Sequence, residues 1–137
     1  MIYVYDSSFI GTLIIPDEKN PRAEKIHATI DNNEEILVSQ LFWYEISNIF
    51  MSLIRRKRYS YDDVLQFFFP LAAIRLTIDY ETGIGYSQKL LRLCKDYNLS
   101  SYDAAYLELA ARKKAVLCTF DSSLQAAAKK LGVTVIK

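Results

Sequence analysis

Four acidic residues stand where their carboxylates could share one site: Asp6, Glu45, Asp103 and Asp121. Asp6 and Asp121 each follow a short apolar run typical of a buried strand, whereas Asp103 opens a helix and Glu45 lies on a helix's apolar face. Clustered carboxylates raise each other's pKa, so such a site needs protons or cations. Hard oxygen ligands suit Mg²⁺ or Mn²⁺. The pattern is typical of phosphoryl-transfer and nuclease chemistry.

Each acid also has a structural interpretation. Asp6 precedes two serines and is a good helix N-cap, and Asp103 lies in a first turn, where the helix dipole favours negative charge. Glu45 is expensive to bury without a basic partner or a metal, because it shares its face with an apolar stripe: Phe42, Ile46, Ile49 and Leu53. Glu108 lies five residues after Asp103 and is predicted to be a solvated surface acid.

The elements that must position these acids alternate between strands and helices. We expect strands at 2–5, 35–38, 74–78, 115–118 and 133–136, and helices at 9–15, 21–30, 41–57, 60–70, 79–98, 100–111 and 122–131. This order predicts an α/β protein with a mostly parallel sheet and helices on both faces. If the first and fourth strands are neighbours across the topological switch, all four acids point into one crevice.

Composition sets limits on the partners. The 137 residues are 51% hydrophobic and 24% charged with a net charge of +1, which predicts one domain over residues 1–137 and excludes nucleic-acid binding through bulk charge. A local basic run with aromatic neighbours, Arg55, Arg56, Lys57 and Arg58, could bind phosphates. Alternatively, it complements the negative end of the preceding helix and stays solvated.

The cysteines and the single histidine exclude other chemistries. Cys94 and Cys118 are predicted to be buried free thiols, which suits a reducing cytoplasm, and we expect no signal peptide or membrane span. His27 is the only histidine and is predicted to lie on the surface, so histidine-dependent triads and zinc sites are poor candidates.

Four short motifs carry a resemblance to a known family: Val4–Ser8, Tyr44–Asn48, Leu99–Tyr106 and Thr119–Asp121. In this order and spacing the chain resembles PIN domains, specifically the VapC-like toxin ribonucleases of toxin–antitoxin systems. The resemblance covers essentially the whole chain. It implies a three-layer α/β/α fold with a mostly parallel central sheet of about five strands.

The resemblance also implies a metal-dependent endoribonuclease acting on RNA. Its acidic quartet would be catalytic, with Asp6, Asp103 and Asp121 holding Mg²⁺ (or Mn²⁺) and Glu45 completing the shell or orienting water. The family pattern places substrate-orienting hydroxyls near the acids, and the basic run would guide the RNA backbone; the matching positions here are Ser7, Thr119 and residues 55–58.

The implied partners are a homodimer and a small antitoxin that plugs the acidic groove. Aromatic residues predicted for the dimer contact are Trp43, Phe50 and Phe67–Phe69. Two alternatives stay open: a PIN-like binding module without cleavage, and a PIN ribonuclease of RNA processing without an antitoxin. A receiver domain and a haloacid dehalogenase phosphatase fit poorly; for the phosphatase, Asp6 is followed by two serines and not by the Asp-x-Asp pair.

Overall fold

The computed structural model describes residues 1–136, and its strands form one parallel sheet in the order β3-β2-β1-β4-β5. The strands are β1 (Ile2–Tyr5), β2 (Glu35–Ser39), β3 (Leu76–Asp79), β4 (Val116–Cys118) and β5 (Val135–Ile136). The helices are α1 (Ser7–Ile14), α2 (Pro21–Ala28), α3 (Phe42–Arg55), α4 (Tyr61–Gln66), α5 (Phe68–Ala73), α6 (Ile84–Tyr97), α7 (Ser101–Lys113) and α8 (Ser122–Leu131), with a 3₁₀ turn at Pro16–Glu18.

The middle strand β1 is flanked by β2 on one side and β4 on the other. Tyr5 is in register with Cys118, and the next residue, Asp6, donates its backbone N–H to the Cys118 carbonyl at 3.3 Å. The predicted α/β/α architecture and the adjacency of the first and fourth strands are therefore confirmed. Since parallel strands end at a common edge, Asp6 and the residues after β4 meet there.

Helix α7 packs across the centre of the sheet, against β1, β2 and β4. Its buried face includes Ala104, Ala105 and Ala110, whose small side chains let the helix approach the strands closely. On the sheet, Val4, Tyr5, Val38, Leu117 and Cys118 have no exposed surface, as expected for strands covered on both faces. This packing fixes the first turn of α7, and with it Asp103, over the end of β1.

The region 79–84 differs from the prediction that a helix begins at Asp79. Asp79 is the last residue of β3 and is paired in register with Ser39, and α6 begins only at Ile84. Gly83, with a φ of +104°, makes the intervening turn. The prediction was wrong because Asp is common both as a helix cap and at the end of a strand.

The predicted helix over 60–70 is two helices, divided at Phe67. The capping box is confirmed, with Asp63 N–H 3.1 Å from Ser60 Oγ and Ser60 N–H 3.0 Å from Asp63 Oδ2. Pro70 does not end a helix but lies in the first turn of α5. Backbone N–H groups in a first turn have no partner within the helix, so a proline there costs no hydrogen bond. Its ring is incompatible with a continuous helix through residue 66, which explains why α4 ends there.

The two cysteines are free thiols; Cys118 is buried, which raises the pKa of its thiol to about 12, and Cys94 is only partly buried. Over residues 1–136, the helices are all too short or too polar to cross a bilayer.

The prediction that His27 is a simple surface residue is wrong. Its ring is half-buried, with Nδ1 2.9 Å from the hydroxyl of Tyr5, and burial lowers its pKa. The charged neighbours of His27 in sequence hid the contact, because they lie on other sides of the helix.

Candidate active site

Asp6 lies at the centre of the site and is 4% exposed. Its Oδ1 accepts hydrogen bonds from the backbone N–H of Phe9 at 2.7 Å and from the Ser8 hydroxyl at 2.9 Å, and its Oδ2 accepts one from the Thr119 hydroxyl. Burial nevertheless outweighs these bonds and raises the pKa of Asp6 to about 6. Asp6 is thus both the N-cap of α1 and a buried acid at the edge of the sheet.

Thr119 links Asp6 to Asp121. Its hydroxyl donates to Asp6 and accepts the backbone N–H of Asp121 at 3.0 Å, while its carbonyl accepts the side-chain amide of Gln125 at 2.8 Å. Asp121 caps α8 through Leu124 N–H at 2.8 Å and is itself exposed. Because the Thr119 hydroxyl is fully buried and used on both sides, its role in the structure is to hold acids in place.

Glu45 lies in the first turn of α3, where its carboxyl group is half-buried. The Tyr106 hydroxyl donates a 2.6 Å hydrogen bond to its Oε1. Burial raises the pKa of Glu45 to about 7, and Asp103 and Asp6 add to the shift. The partner that the apolar stripe required is therefore a tyrosine. Sequence reasoning missed it, although Tyr106 lies three residues after Asp103, on the same side of α7.

Asp103 completes a chain of interacting carboxylates. Ser100 caps α7 by accepting the Asp103 N–H at 3.2 Å. Burial raises the pKa of Asp103, and so does the negative charge of Asp121. Asp103 in turn raises the pKa of Asp6 and Glu45. The structure thus brings the four predicted acids into one electrostatic cluster, from four different helix starts.

The donor set fits a small hard cation. Within residues 1–136, no three acidic, histidine or cysteine side chains converge into a ready-made metal cage. Mg²⁺ does not need one, since proteins usually bind it through one or two carboxylates with water and substrate phosphate completing the octahedron. Burial and neighbouring acids raise the pKa values of Asp6, Glu45 and Asp103, so a nearby cation would stabilise their charged forms.

A cleft of about 340 Å³ opens beside the acids. Glu45 and Ser7 line it, together with the polar Asn48 and the exposed rings of Tyr44 and Tyr102. Ser7 is therefore the predicted hydroxyl with access to a ligand, in contrast to Thr119. The cleft connects the half-buried Glu45 to solvent.

The basic run is divided by its contacts. Arg58 binds Asp17 at 2.7 Å and Glu18 at 3.2 Å, so it ties the end of α3 to the 3₁₀ turn. Arg55, Arg56 and Lys57 are exposed and form no ion pair with any residue of 1–136. Three of the four cations are therefore exposed to solvent, which is compatible with both interpretations of the basic run.

A family model described as PIN domain matches residues 3–130. The chain belongs to the PIN domain family. PAE2754 from Pyrobaculum aerophilum is 20% identical, with a TM-score of 0.71 over 98% of this chain and 83% of that one. VapBC2 from Rickettsia felis, bound to a promoter DNA fragment, is 14% identical, with a TM-score of 0.67 over 100% and 98%.

VapC20 from Mycobacterium tuberculosis, described as a toxin that cleaves the sarcin-ricin loop, is 21% identical, with a TM-score of 0.65 over 93% of this chain and 95% of that one. At these identities the likeness shows a shared PIN fold. No curated protein sequence matches the chain.

The PIN fold of this chain uses Glu108 structurally, and its prediction as a solvated acid is wrong. Glu108 is 5% exposed, and both of its oxygens lie 2.9 Å from Nε of Arg112. Arg112 also binds Asp79 at 2.6 Å, which ties α7 to the end of β3. Glu108 does point away from Asp103 as expected, but towards a buried ion pair and not towards solvent.

Proposed function

We propose that this PIN domain, acting as one unit over residues 1–137, is a metal-dependent endoribonuclease. One observation carries the proposal. The pKa values of Asp6, Glu45 and Asp103 are raised by burial and by neighbouring acids, Asp121 among them, and within residues 1–136 none of the four carboxylates pairs with a basic side chain. Such an arrangement costs stability unless a cation is part of the working site.

Asp6, Asp103 and Asp121 would hold Mg²⁺ or Mn²⁺, directly or through water. When bound, the ion neutralises charge developing on the phosphate and lowers the pKa of water. Thr119 fixes the direction of the Asp6 carboxylate and, through the Asp121 N–H, the start of α8. A ligand thus meets carboxylates already held in position, which lowers the cost of ordering them.

Glu45 would take the proton of the attacking water. Its Oε1 is occupied by the Tyr106 hydroxyl, which leaves Oε2 to accept the proton. Its pKa of about 7 suits a general base near neutral pH. As the water oxygen bonds to phosphorus, the bond to the leaving sugar oxygen breaks, and that oxygen takes a proton from solvent. Ser7, on the cleft wall, would orient the phosphate.

The test is cleavage of labelled RNA by the purified protein with Mg²⁺, with EDTA, and with the Asp6→Asn variant. Asn keeps the cap on Phe9 but removes the charge, so we expect a folded protein without metal-dependent cutting. Asp62→Asn makes the same chemical change at an exposed acid of α4 and should cut normally. Cutting by Asp6→Asn at the wild-type rate would overturn the proposal.

We also propose that the nuclease is the toxin of a toxin–antitoxin pair. The support is that VapBC2, FitAcB from Neisseria gonorrhoeae and a toxin-antitoxin complex from Klebsiella pneumoniae share the fold. Expression of the chain alone should arrest growth, Asp6→Asn should not, and a small protein encoded beside it should restore growth. An active nuclease whose expression leaves growth unchanged would favour the alternative role in RNA processing.

A homodimer is proposed through the exposed aromatic residues of α3 and α5. Trp43 is 48% exposed, Phe68 42% and Phe69 72%, whereas Phe50 and Phe67 are buried and do not fit the predicted contact. Sedimentation of Trp43→Ala and Phe69→Ala should show a smaller species than wild type. Unchanged sedimentation of both variants would remove this surface from the assembly.

A further inference from the structure

A groove runs along one side of α3, away from the acidic cluster. The cleft beside Glu45 shares Asn48 and Ile49 with a second cleft of about 360 Å³, which continues past Ser52 to Arg56. Glu45, Asn48, Ser52 and Arg56 are three or four positions apart, so they lie in a row on one face of the helix. From Glu45 to Arg56 the row measures about 16 Å at the rise of an α-helix.

The two ends of this groove have opposite charge. Glu45 and the other carboxylates lie at one end. Arg56 lies at the other; it is exposed and forms no ion pair within residues 1–136. Arg58 and Glu18 also line this end, where Arg58 is bound to both Glu18 and Asp17, so among the described residues the charge left unpaired here is that of Arg56. A groove with charges of only one sign would suit a peptide of the opposite charge. This groove carries one sign at each end, so it matches neither an acidic nor a basic peptide.

Two exposed tyrosines stand at the acidic end of the groove. Tyr44, from α3, is 72% exposed and Tyr102, from α7, is 53% exposed, and both line the cleft that contains Glu45. Neither ring packs against another aromatic ring in residues 1–136. An exposed aromatic face beside a charged groove is the arrangement that stacks unpaired bases, at about 1–3 kcal/mol per base.

We propose that Tyr44 and Tyr102 position the RNA by stacking two bases next to the cleaved phosphate, and that Arg56 binds a phosphate further along the same strand. This inference rests on the proposed nuclease function, and it names the residues of this chain that hold the RNA in the groove. In a duplex the bases stack on each other, so their faces are not available to the two rings. Asn48 and Ser52 offer neutral hydrogen-bonding groups between the two ends.

The test measures binding separately from cutting. A short fluorescein-labelled single-stranded RNA of mixed sequence is titrated with the Asp6→Asn protein in Mg²⁺, and anisotropy gives the Kd. Adding Tyr44→Ala or Tyr102→Ala should weaken binding about 5- to 150-fold, the range expected for loss of one stacked base. Tyr44→Phe and Tyr102→Phe should keep the affinity of the unsubstituted tyrosines, because stacking needs the ring and not the hydroxyl. Arg56→Ala should reduce the slope of log K against log salt by about 0.7.

Two controls match these changes elsewhere on the surface. Tyr80→Ala removes a tyrosine that is 74% exposed at the end of β3, and Arg92→Ala removes an exposed arginine of α6. Both should leave the Kd unchanged. The same RNA sequence paired with its complement in the stem of a hairpin should bind more weakly than the unpaired strand.

The outcomes separate this inference from the proposed function. Wild-type protein that cuts RNA, combined with tyrosine variants that bind like the control variants, would overturn the groove and leave the nuclease standing. Binding that depends on the two tyrosines and Arg56, in a wild-type protein that never cuts, would support the groove and make the chain a binding module. Equal affinity for the stem and the open strand would overturn the single-strand preference.

Discussion

The Tyr106 hydroxyl donates a hydrogen bond of 2.6 Å to Oε1 of Glu45, although the two residues are 61 positions apart. This bond joins α7 to α3 at the acidic cluster. It lowers the pKa of Glu45, whereas burial and the neighbouring carboxylates raise it. The proton affinity of Glu45 is therefore set partly by a residue that touches no substrate.

Replacing Tyr106 with Phe should shift the pH profile of cleavage. Losing a hydrogen bond to the charged form raises the pKa of Glu45 above its value of about 7. A bond to a charged group is worth about 1.5–3 kcal/mol, so the acidic limb of kcat/KM should move up by roughly one pH unit or more. Tyr80→Phe, at an exposed site, should leave the limb in place. A Tyr106→Phe profile that overlays the wild type would show that Glu45 does not titrate in the reaction.

The metal-free protein should lose stability as the pH rises from about 4 to 7. The folded pKa of Asp6 is about 6 and that of Glu45 about 7, above their ordinary values, so the folded state binds more protons than the unfolded state in this window. The contribution of these two carboxyl groups to the free energy of unfolding therefore falls through the window and levels off above it. The Asp6→Asn variant lacks the contribution of the Asp6 carboxyl to this loss of stability. In EDTA at pH 8, the variant should therefore be more stable than wild type by about 2–3 kcal/mol.

Urea unfolding at pH 4 and pH 8 checks this prediction. The advantage of Asp6→Asn should largely disappear at pH 4, where the folded wild-type carboxyl is protonated and the unfolded one is only about half ionised. Asp62→Asn, at an exposed acid, serves as the matched control and should follow the wild type at both values. Equal stability of Asp6→Asn and wild type at pH 8 would mean that burying the ionised Asp6 carboxylate does not lower the free energy of unfolding.

Replacing Arg112 with Met should destabilise the fold strongly. Arg112 is the cation for Glu108, whose side chain is 6% exposed, and for Asp79, whose side chain is 14% exposed. Removing it leaves buried carboxylates unpaired, which costs about 3–5 kcal/mol. Arg92→Met removes a pair of the same i,i+4 geometry with Asp96 in solvent and should cost less than about 0.5 kcal/mol. Similar unfolding free energies for the two variants would contradict the buried network.

Replacing Thr119 with Val should weaken metal binding without disturbing the fold grossly. Val keeps the shape but removes the hydroxyl that donates to Asp6 and accepts the Asp121 N–H. The pKa of Asp6 should then rise further, since that bond lowers it. Calorimetry should show a larger Kd for Mn²⁺ near pH 7, with partial recovery at higher pH. Thr77→Val, at an exposed position of β3, should bind like wild type.

Sequence patterns predicted the sheet and the acids well because both follow from local rules. Short β-branched and aromatic runs that end in Asp gave β1 and β4, and their adjacency followed from parallel topology. The misreadings at His27 and Asp79 share one cause, because each has a partner distant in sequence: Tyr5 for His27, 22 residues away, and Arg112 for Asp79, 33 residues away. Glu108 pairs with Arg112 only four residues later, and the burial of that pair comes from its contact with Asp79 of β3. Such pairings depend on how elements pack, which periodicity does not encode.

The central place of β1 in the sheet has a consequence for how the chain is made. Its residues leave the ribosome before those of β4, and the Thr119 hydroxyl that binds Asp6 comes 113 positions after that residue. At about 5–20 residues per second, translation leaves a delay on the order of ten seconds. During that time Asp6 lies beside an unpaired strand edge, so the acidic cluster cannot be complete. The proposed nuclease could therefore act on no RNA, its own messenger included, until β4 and Asp121 have been synthesised.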